Sequence, residues 1–206
     1  QYTKGLQANF IIIPQNGQEI VTMNSDAEDD PALTYLNAID GVGREDLFYG
    51  YDDDNVATPA DDKDYMMDFL EICEAHNVEV LVTDYCWTES KMDDSYAQNE
   101  THDFISFAAP DRELNVIPDY PATPYNVNAN NIATLAEAKN FLYLLNPENF
   151  ASKQEFISAI NATNYDVIIM DYFFEDDAFT NTEIMSMKTK NNGGTRLIIS
   201  YMSIGE

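Results

Sequence analysis

Six short apolar runs dominate the pattern of hydrophobic and polar positions along the chain. Each run is six to nine residues long, and its apolar side chains are nearly continuous instead of alternating with polar ones. Near-continuous runs are typical of parallel strands covered on both faces, whereas a strand with one wet face alternates. The pattern therefore predicts buried parallel strands at residues 9–14, 78–85, 103–108, 140–145, 166–174 and 196–203.

A helical repeat fills one of the intervals between these runs. Residues 61–77 carry apolar side chains at three- and four-residue spacing, which places them on one side of a helix. These side chains belong to Tyr65, Met66, Phe69, Leu70 and Cys73. The spacing predicts a helix that packs one face on the sheet.

Two capping boxes mark further helix starts. Ser152 is followed by Glu155, and Thr180 is followed by Glu183, so in each pair a hydroxyl and a carboxylate can bond to backbone N–H groups of the first turn. Residues 152–203 therefore have the pattern helix, strand, helix, strand with short links. This order predicts a crossover connection and a parallel pair of strands.

No long linker interrupts the chain, which predicts a single α/β domain over residues 1–206. Several prolines within residues 110–131 indicate a loop that crosses the surface. The order of strands and helices fits both a closed barrel and an open doubly wound sheet. The residues alone leave these two architectures open.

The chain is strongly acidic, with 37 Asp and Glu against 10 Lys and Arg and a formal net charge of −27. Nucleic acid and anionic membrane surfaces would be repelled, so a cationic or neutral ligand fits better. A hydrophobic content of 45% is typical of a globular protein with a buried core. No apolar run approaches the roughly 20 residues that span a bilayer.

Few residues indicate a metal or a redox centre. Cys73 and Cys86 lack the spacing of a zinc site or of a disulfide scaffold, so neither a metal nor a cofactor is expected. The run Asp52–Asp54 lacks the spacing of a calcium-binding EF-hand loop and is expected to be a solvated loop. His76 and His102 are expected to be structural or exposed.

Carboxylates, amides and aromatic rings follow the apolar runs. In parallel α/β folds the carboxyl ends of the strands form the functional site, so these side chains are the candidates. Paired carboxylates and flat rings suit carbohydrate chemistry, although a carboxylate after a strand can equally cap a helix. The candidates are Gln15, Asn16, Glu45, Tyr49, Asp84, Tyr85, Trp87, Asp171 and Glu206.

Five sequence motifs make this pattern more specific. The motifs IIIPQNG, IDGVGREDLFYG, VLVTDYC, DVIIMDYFF and RLIISYMSIGE resemble segments of the endo-α-1,4-polygalactosaminidases, a glycoside hydrolase family with a (β/α)8 TIM-barrel fold. The resemblance implies such a barrel here, incomplete by about two β/α units. The motifs stand in a different order from the one typical of the family, which implies a circular permutation. Some members of this family are labelled cysteinyl-tRNA synthetase-related. The HIGH and KMSKS signatures of synthetases do not occur in this sequence.

The resemblance also implies roles for individual residues. It places a catalytic carboxylate at Glu45, while the family's partner Asp lies on a strand that has no counterpart here. By the same resemblance, Asp171 and Glu206 would bind sugar hydroxyls or an amino group, and Asn16 would orient the substrate or a carboxylate. Gln15, Tyr49, Asp84, Tyr85 and Trp87 complete the expected substrate-binding set.

The resulting expectation is a hydrolase of an α-linked, galactosamine-containing polysaccharide, using carboxylate acid/base chemistry and no cofactor. The alternative is a catalytically inactive carbohydrate-binding barrel. A nucleotide-binding domain is ranked lower because no strand opens into GxGxxG or a P-loop. High acidity and a polymeric substrate favour an extracellular or periplasmic location.

Overall fold

The computed structural model describes residues 2–7 and 9–203 of the chain. Its eight strands are β1 (Gly41–Glu45), β2 (Glu79–Tyr85), β3 (Ile105–Ala109), β4 (Phe141–Leu144), β5 (Val167–Asp171), β6 (Phe173–Phe174), β7 (Asp177–Ala178) and β8 (Leu197–Tyr201). They form one parallel sheet of order β1-β2-β3, a second parallel sheet of order β4-β5-β8, and a small antiparallel hairpin of β6 and β7. The predicted α/β class with parallel strands is confirmed.

Helices connect and cover these strands. They are α1 (Tyr2–Leu6), α2 (Leu33–Leu36), α3 (Ala60–Ala75), α4 (Glu89–Glu100), α5 (Lys153–Asn161) and α6 (Asn181–Met187), with 3₁₀ turns at Gln18–Val21 and Leu135–Glu137. The spacing-based helix at residues 61–77 agrees with α3 to within two residues. None of the described helices is both long and apolar enough to cross a bilayer.

The first sheet separates two apolar layers. Val80 and Val82 of β2 pack with Phe69 and Leu70 of α3 on one face. Side chains from the opposite face of this sheet form a second core cluster with the second sheet, in which the Phe107 ring of β3 lies 5.7 Å from the Phe141 ring of β4. Aromatic packing therefore connects the two sheets where backbone pairing does not.

The predicted (β/α)8 barrel is wrong, and so is its partial form. Among the described residues no sheet is closed, and the strands that were expected in one sheet belong to two. Val82 lies in the first sheet, whereas Ile168 and Ile199 lie in the second. The β3 and β4 strands meet through side chains and are separated in the chain by a long irregular loop, so no continuous ladder joins the sheets.

Residues 9–14 also form no regular strand. This segment runs parallel to β1, but its only ladder pairing is an isolated bridge between Gln15 and Gly43. Pro14 has no N–H to donate, and the Ile12 N–H donates to the Asp40 carboxylate (2.8 Å) instead of to a strand. The other edge of the segment carries no strand among the described residues, and β8 pairs on one side only, with β5.

The capping boxes differ in completeness. At Thr180 both halves form, since Glu183 N–H donates to the hydroxyl and Glu183 Oε2 accepts from Thr180 N–H (2.7 Å). At Ser152 the hydroxyl accepts from Glu155 N–H (3.2 Å), but the Glu155 carboxylate accepts from Ala151 N–H instead. Both residues begin helices as predicted.

Candidate functional site

The Glu45 carboxylate lies at the carboxyl end of β1, half-buried and hydrogen-bonded through both oxygens. Asn16 Nδ2 donates to Glu45 Oε2 (2.7 Å), and the Tyr85 hydroxyl donates to Glu45 Oε1. The Glu45 N–H in turn donates to Asn16 Oδ1 (3.1 Å). Three of the predicted site residues are therefore in direct contact.

The turn after Pro14 brings Asn16 to this position. Asn16 has a left-handed backbone (φ +57°), which asparagine tolerates better than most residues, and its N–H donates to the Gly43 carbonyl (2.8 Å). The Gln15 side chain lies directly over Gly43, where an added Cβ would be 1.9 Å from Gln15 Oε1. Glycine at position 43 therefore allows the turn to approach β1.

Arg112 covers the Tyr85 ring. The guanidinium carbon of Arg112 lies 3.9 Å from the ring centroid, within the range of a cation–π contact. Burial and the negative charge of Glu45 raise the pKa of Tyr85 well above its usual value, so the phenol keeps its proton at neutral pH. Arg112 was not predicted, because it stands in a loop with no recognisable motif.

A cleft of about 530 Å³ opens between residues 10–15 and β8. Tyr143 lines this cleft, and burial, followed by the negative charge of Glu45, raises its pKa above the usual value. The Tyr143 ring lies 6.3 Å from the Tyr201 ring. The remaining lining side chains are mainly aliphatic, and they include Ile11, Ile13, Ile169 and Ile199. The cleft can accept a ligand with an apolar face. Glu45 is not part of the lining, but it is hydrogen-bonded to Asn16, which directly follows the lining residue Gln15.

Asp84 fixes the backbone of the turn that follows β1. Its side chain is fully buried and accepts hydrogen bonds from the N–H groups of Phe48 (2.8 Å) and Tyr49 (3.1 Å), from the Ser95 hydroxyl (2.6 Å) and from the Asn99 amide (3.2 Å). Burial raises the pKa of Asp84 to about 6, against the opposing effect of these four donors. The Asp84 carboxylate therefore holds the turn after β1 and does not face the cleft.

Two predicted aromatic residues also lie away from the cleft. Tyr49 is buried, and its hydroxyl donates to Asp94 Oδ2 (2.7 Å). Trp87 is 55% exposed and lines a separate shallow depression with Tyr51, Arg112 and the run Asp52–Asp54. Neither ring is positioned to contact a ligand that sits beside Glu45.

Asp171 ends β5 and is half-buried, in register with Tyr201 of β8. Its Oδ1 accepts a hydrogen bond from Phe173 N–H (2.9 Å). Gln15 lies on the wall of the cleft. Glu206 lies outside the described residues.

Metal-binding and thiol chemistry find no support in the described part of the chain. No group of three or more His, Cys, Asp or Glu side chains there could hold a metal ion. Cys86 follows the Tyr85 strand end, but burial raises its thiol pKa to about 12, which suppresses the thiolate at neutral pH.

No protein-family model matches this sequence, and no curated protein is significantly similar to it. The resemblance to the polygalactosaminidases therefore rests on the five motifs alone, and family membership stays a prediction.

Proposed function

We propose that this chain is a glycoside hydrolase that cleaves an α-linked, galactosamine-containing polysaccharide, with Glu45 as its catalytic carboxylate. The observation that supports the proposal is the setting of Glu45, a carboxylate at a strand end with each oxygen bonded to a neutral donor, one of which, Asn16, directly follows the cleft residue Gln15. Neutral donors orient a carboxylate without neutralising it. The negative charge therefore stays available for substrate.

Glycoside hydrolysis requires one carboxylic acid to protonate the leaving oxygen and a second carboxylate to attack the anomeric carbon or to activate water. Both Glu45 oxygens already accept hydrogen bonds, which favours the second role for Glu45 in the absence of substrate. Each carboxylate oxygen has a second lone pair, so Glu45 could also take up a proton and act as the acid while it keeps its contacts with Asn16 and Tyr85.

The remaining cleft residues fit substrate binding. The half-buried Tyr201 ring can present a flat apolar face of the kind that stacks against sugar rings, whereas Tyr143 is only 4% exposed and supports the wall of the cleft. Asp171, beside Tyr201 on the second sheet, can accept hydrogen bonds from hydroxyls or bind an amino group. A net charge of −27 attracts a cationic polymer. We propose an extracellular or periplasmic location, where such a polymer would be met.

A carbohydrate-binding protein without turnover is the second candidate. One observation favours it, because in the described part of the chain no second carboxylate is hydrogen-bonded into the Asn16–Glu45–Tyr85 cluster. Asp171 lies on the other sheet, and one of its oxygens is occupied by Phe173 N–H.

Substitution of Glu45 by glutamine separates the two candidates. Glu45→Gln keeps the shape of the side chain but removes its charge. We expect it to abolish release of reducing ends from α-1,4-linked galactosamine oligosaccharides while oligosaccharide binding, measured by calorimetry, changes less than tenfold. Binding by the unsubstituted chain without any hydrolysis would favour the binding protein, and absence of both would refute the carbohydrate assignment.

Glu148→Gln provides a matched control. The Glu148 carboxylate also accepts a hydrogen bond from an asparagine amide, Asn115 Nδ2 (2.8 Å), but it is not hydrogen-bonded to Asn16 or Tyr85 as Glu45 is. We expect this variant to hydrolyse at the rate of the unsubstituted chain. Equal rates for Glu45→Gln and Glu148→Gln would show that Glu45 is only structural.

A further inference from the structure

The Arg112 guanidinium is fixed by hydrogen bonds to three residues. Its Nε donates to Asp54 Oδ1 (2.8 Å), and one terminal nitrogen donates to both Asp46 Oδ1 (2.8 Å) and the Gly50 carbonyl (2.8 Å). These bonds fix the plane of the guanidinium over the ring of Tyr85. The cation is therefore immobilised on the residue that donates to Glu45.

We infer that Arg112 is a positioning residue, which holds the Tyr85 hydroxyl against Glu45 and thereby sets the orientation of the Glu45 carboxylate. The inference rests on the proposed function, in which that carboxylate meets the substrate. Arg112 is not hydrogen-bonded to Glu45 and does not line the cleft, and Tyr85 is the side chain that contacts both Arg112 and Glu45.

The local backbone leaves room for this arrangement. Gly50 has φ +117°, and a Cβ there would lie 2.4 Å from Asp46 Oδ1 and 3.1 Å from a terminal nitrogen of Arg112. Any larger residue at position 50 would push the guanidinium away from its carboxylate partner. Asp46 directly follows Glu45, so the same short stretch of chain carries both the Glu45 carboxylate and the anchor of Arg112.

The charges indicate how Arg112 acts. Its positive charge is shared between Asp46 and Asp54, so little of it remains to attract or repel a substrate. Tyr85 is only 2% exposed, whereas the Arg112 side chain above it is 42% exposed. Loss of Arg112 should therefore expose the Tyr85 phenol and weaken its hydrogen bond to Glu45. This would change the orientation of the Glu45 carboxylate without changing the affinity for substrate.

The test compares Arg112→Met with Lys153→Met. Lys153 pairs with two carboxylates, Asp177 and Glu183, and its ammonium lies 4.9 Å from the centroid of the Phe179 ring. Lys153→Met therefore loses two ion pairs and a contact with an aromatic ring, as Arg112→Met does, but on a different part of the molecule. The direct readout is the NMR signal and solvent exchange rate of the Tyr85 hydroxyl proton, assigned by its loss in Tyr85→Phe.

We expect hydroxyl exchange to accelerate at least about tenfold in Arg112→Met and to stay unchanged in Lys153→Met. We also expect kcat to fall about tenfold or more with KM within about twofold, since small misplacements of a reacting group carry losses of this size. The double variant Arg112→Met/Tyr85→Phe should be no slower than Tyr85→Phe alone. Additive losses would indicate a general structural role and overturn the inference.

Two further outcomes are distinguishable. Unchanged hydroxyl exchange in Arg112→Met overturns the inference whether or not the chain hydrolyses anything. Accelerated exchange in a chain that hydrolyses no galactosaminide supports the Arg112–Tyr85–Glu45 linkage and refutes the proposed function instead. If Arg112→Met does not fold, Asp54→Asn removes one anchor of the guanidinium and leaves Asp46 in place, and a smaller acceleration of exchange is then expected.

Discussion

Asn16 and Glu45 are bonded to each other twice, once in each direction. The Asn16 Nδ2 donates to the Glu45 carboxylate (2.7 Å), and the Glu45 N–H donates to the side-chain oxygen Oδ1 of Asn16 (3.1 Å). The two residues are 29 positions apart in the chain, so this pair joins the segment before β1 to the end of the strand. The Asn16 side chain thus both fixes the segment before β1 to the end of β1 and orients the Glu45 carboxylate.

Replacement of Asn16 should separate its side-chain role from its backbone role. Asn16→Gly keeps the left-handed backbone (φ +57°) but loses both hydrogen bonds, and we expect a loss of about 1–2 kcal/mol in the free energy of unfolding. Asn16→Ala should cost roughly 0.5–1 kcal/mol more, because alanine disfavours positive φ. Urea denaturation measures both. Equal stability of the two variants would show that the backbone conformation is not maintained.

Asp84→Asn should destabilise the turn that follows β1. The amide nitrogen of asparagine would face N–H and hydroxyl donors in a fully buried site, and we expect a loss of about 2–4 kcal/mol at neutral pH. Asp94→Asn serves as the control, since the Asp94 carboxylate accepts its bonds near the surface. A smaller loss for Asp84→Asn than for Asp94→Asn in urea denaturation would contradict the supporting role of Asp84.

Glu74 should make stability depend on pH in the direction opposite to that of a salt-bridged carboxylate. Burial, followed by the like charge of Glu79, raises the pKa of Glu74 from 4.5 to about 7. The folded state therefore favours the protonated form, so this contribution to stability is complete below pH 4.5 and is lost as pH rises through 7. We expect Glu74→Gln to raise Tm at pH 8 and to leave it unchanged at pH 4.

The control for this prediction is Glu71→Gln in the same helix, where the side chain is exposed. Its Tm difference from the unsubstituted chain should not vary between pH 4 and pH 8. A Glu74→Gln effect that is the same at both pH values would show that Glu74 does not titrate in this window.

Gly50 and Gly193 provide a matched pair for the space around Arg112. Both have positive φ (+117° and +99°), but an added Cβ at Gly193 meets nothing within 4 Å, whereas at Gly50 it meets Asp46 Oδ1 at 2.4 Å. Gly193→Ala should lose about 1 kcal/mol from backbone strain alone. Gly50→Ala should lose roughly 2 kcal/mol more because the ion pair must move. Similar losses in urea denaturation would contradict the tight contact.

The strands were largely predictable because buried parallel strands have a distinctive composition. The runs that became β2 and β5 are mainly aliphatic and buried as predicted, whereas the run that became β8 forms a strand that is only partly buried. The run at residues 9–14 has the same composition but fails as a strand, because Pro14 lacks a donor and the Asp40 carboxylate takes the Ile12 N–H. Such competition from a side chain 28 residues away is invisible in the local pattern.

Sheet closure could not be predicted from the same pattern, because it depends on which strand edges meet and not on which strands exist.

The helix α4 was not predicted, because its buried face consists of Met92, Ser95, Tyr96 and Asn99, a mixture of apolar and polar residues.

The site was predictable only where polar residues end an apolar run. Asn16 and Tyr85 stand at the ends of predicted apolar runs, whereas Glu45 ends β1, which was not among the six predicted strands, and the three residues lie in contact. Asp84 also stands at the end of a predicted run but points into the protein, because alternate side chains of a strand point to opposite faces and a rule based on run ends ignores this alternation. Tyr143 was missed because it stands within the apolar run 140–145, where a tyrosine looks like core.

In the part of the chain that the structure describes, one edge of β8 pairs with no strand, and this edge affects the behaviour of the protein in concentrated solution. An open strand edge exposes backbone donors and acceptors that can pair with another copy, and Met202 just beyond it is 72% exposed. Like-charge repulsion between copies that each carry −27 opposes this contact, but ions shorten its range from about 10 Å at 0.1 M salt to about 3 Å at 1 M. Colloidal stability is therefore expected to depend on dilute electrolyte, with self-association favoured as ionic strength increases.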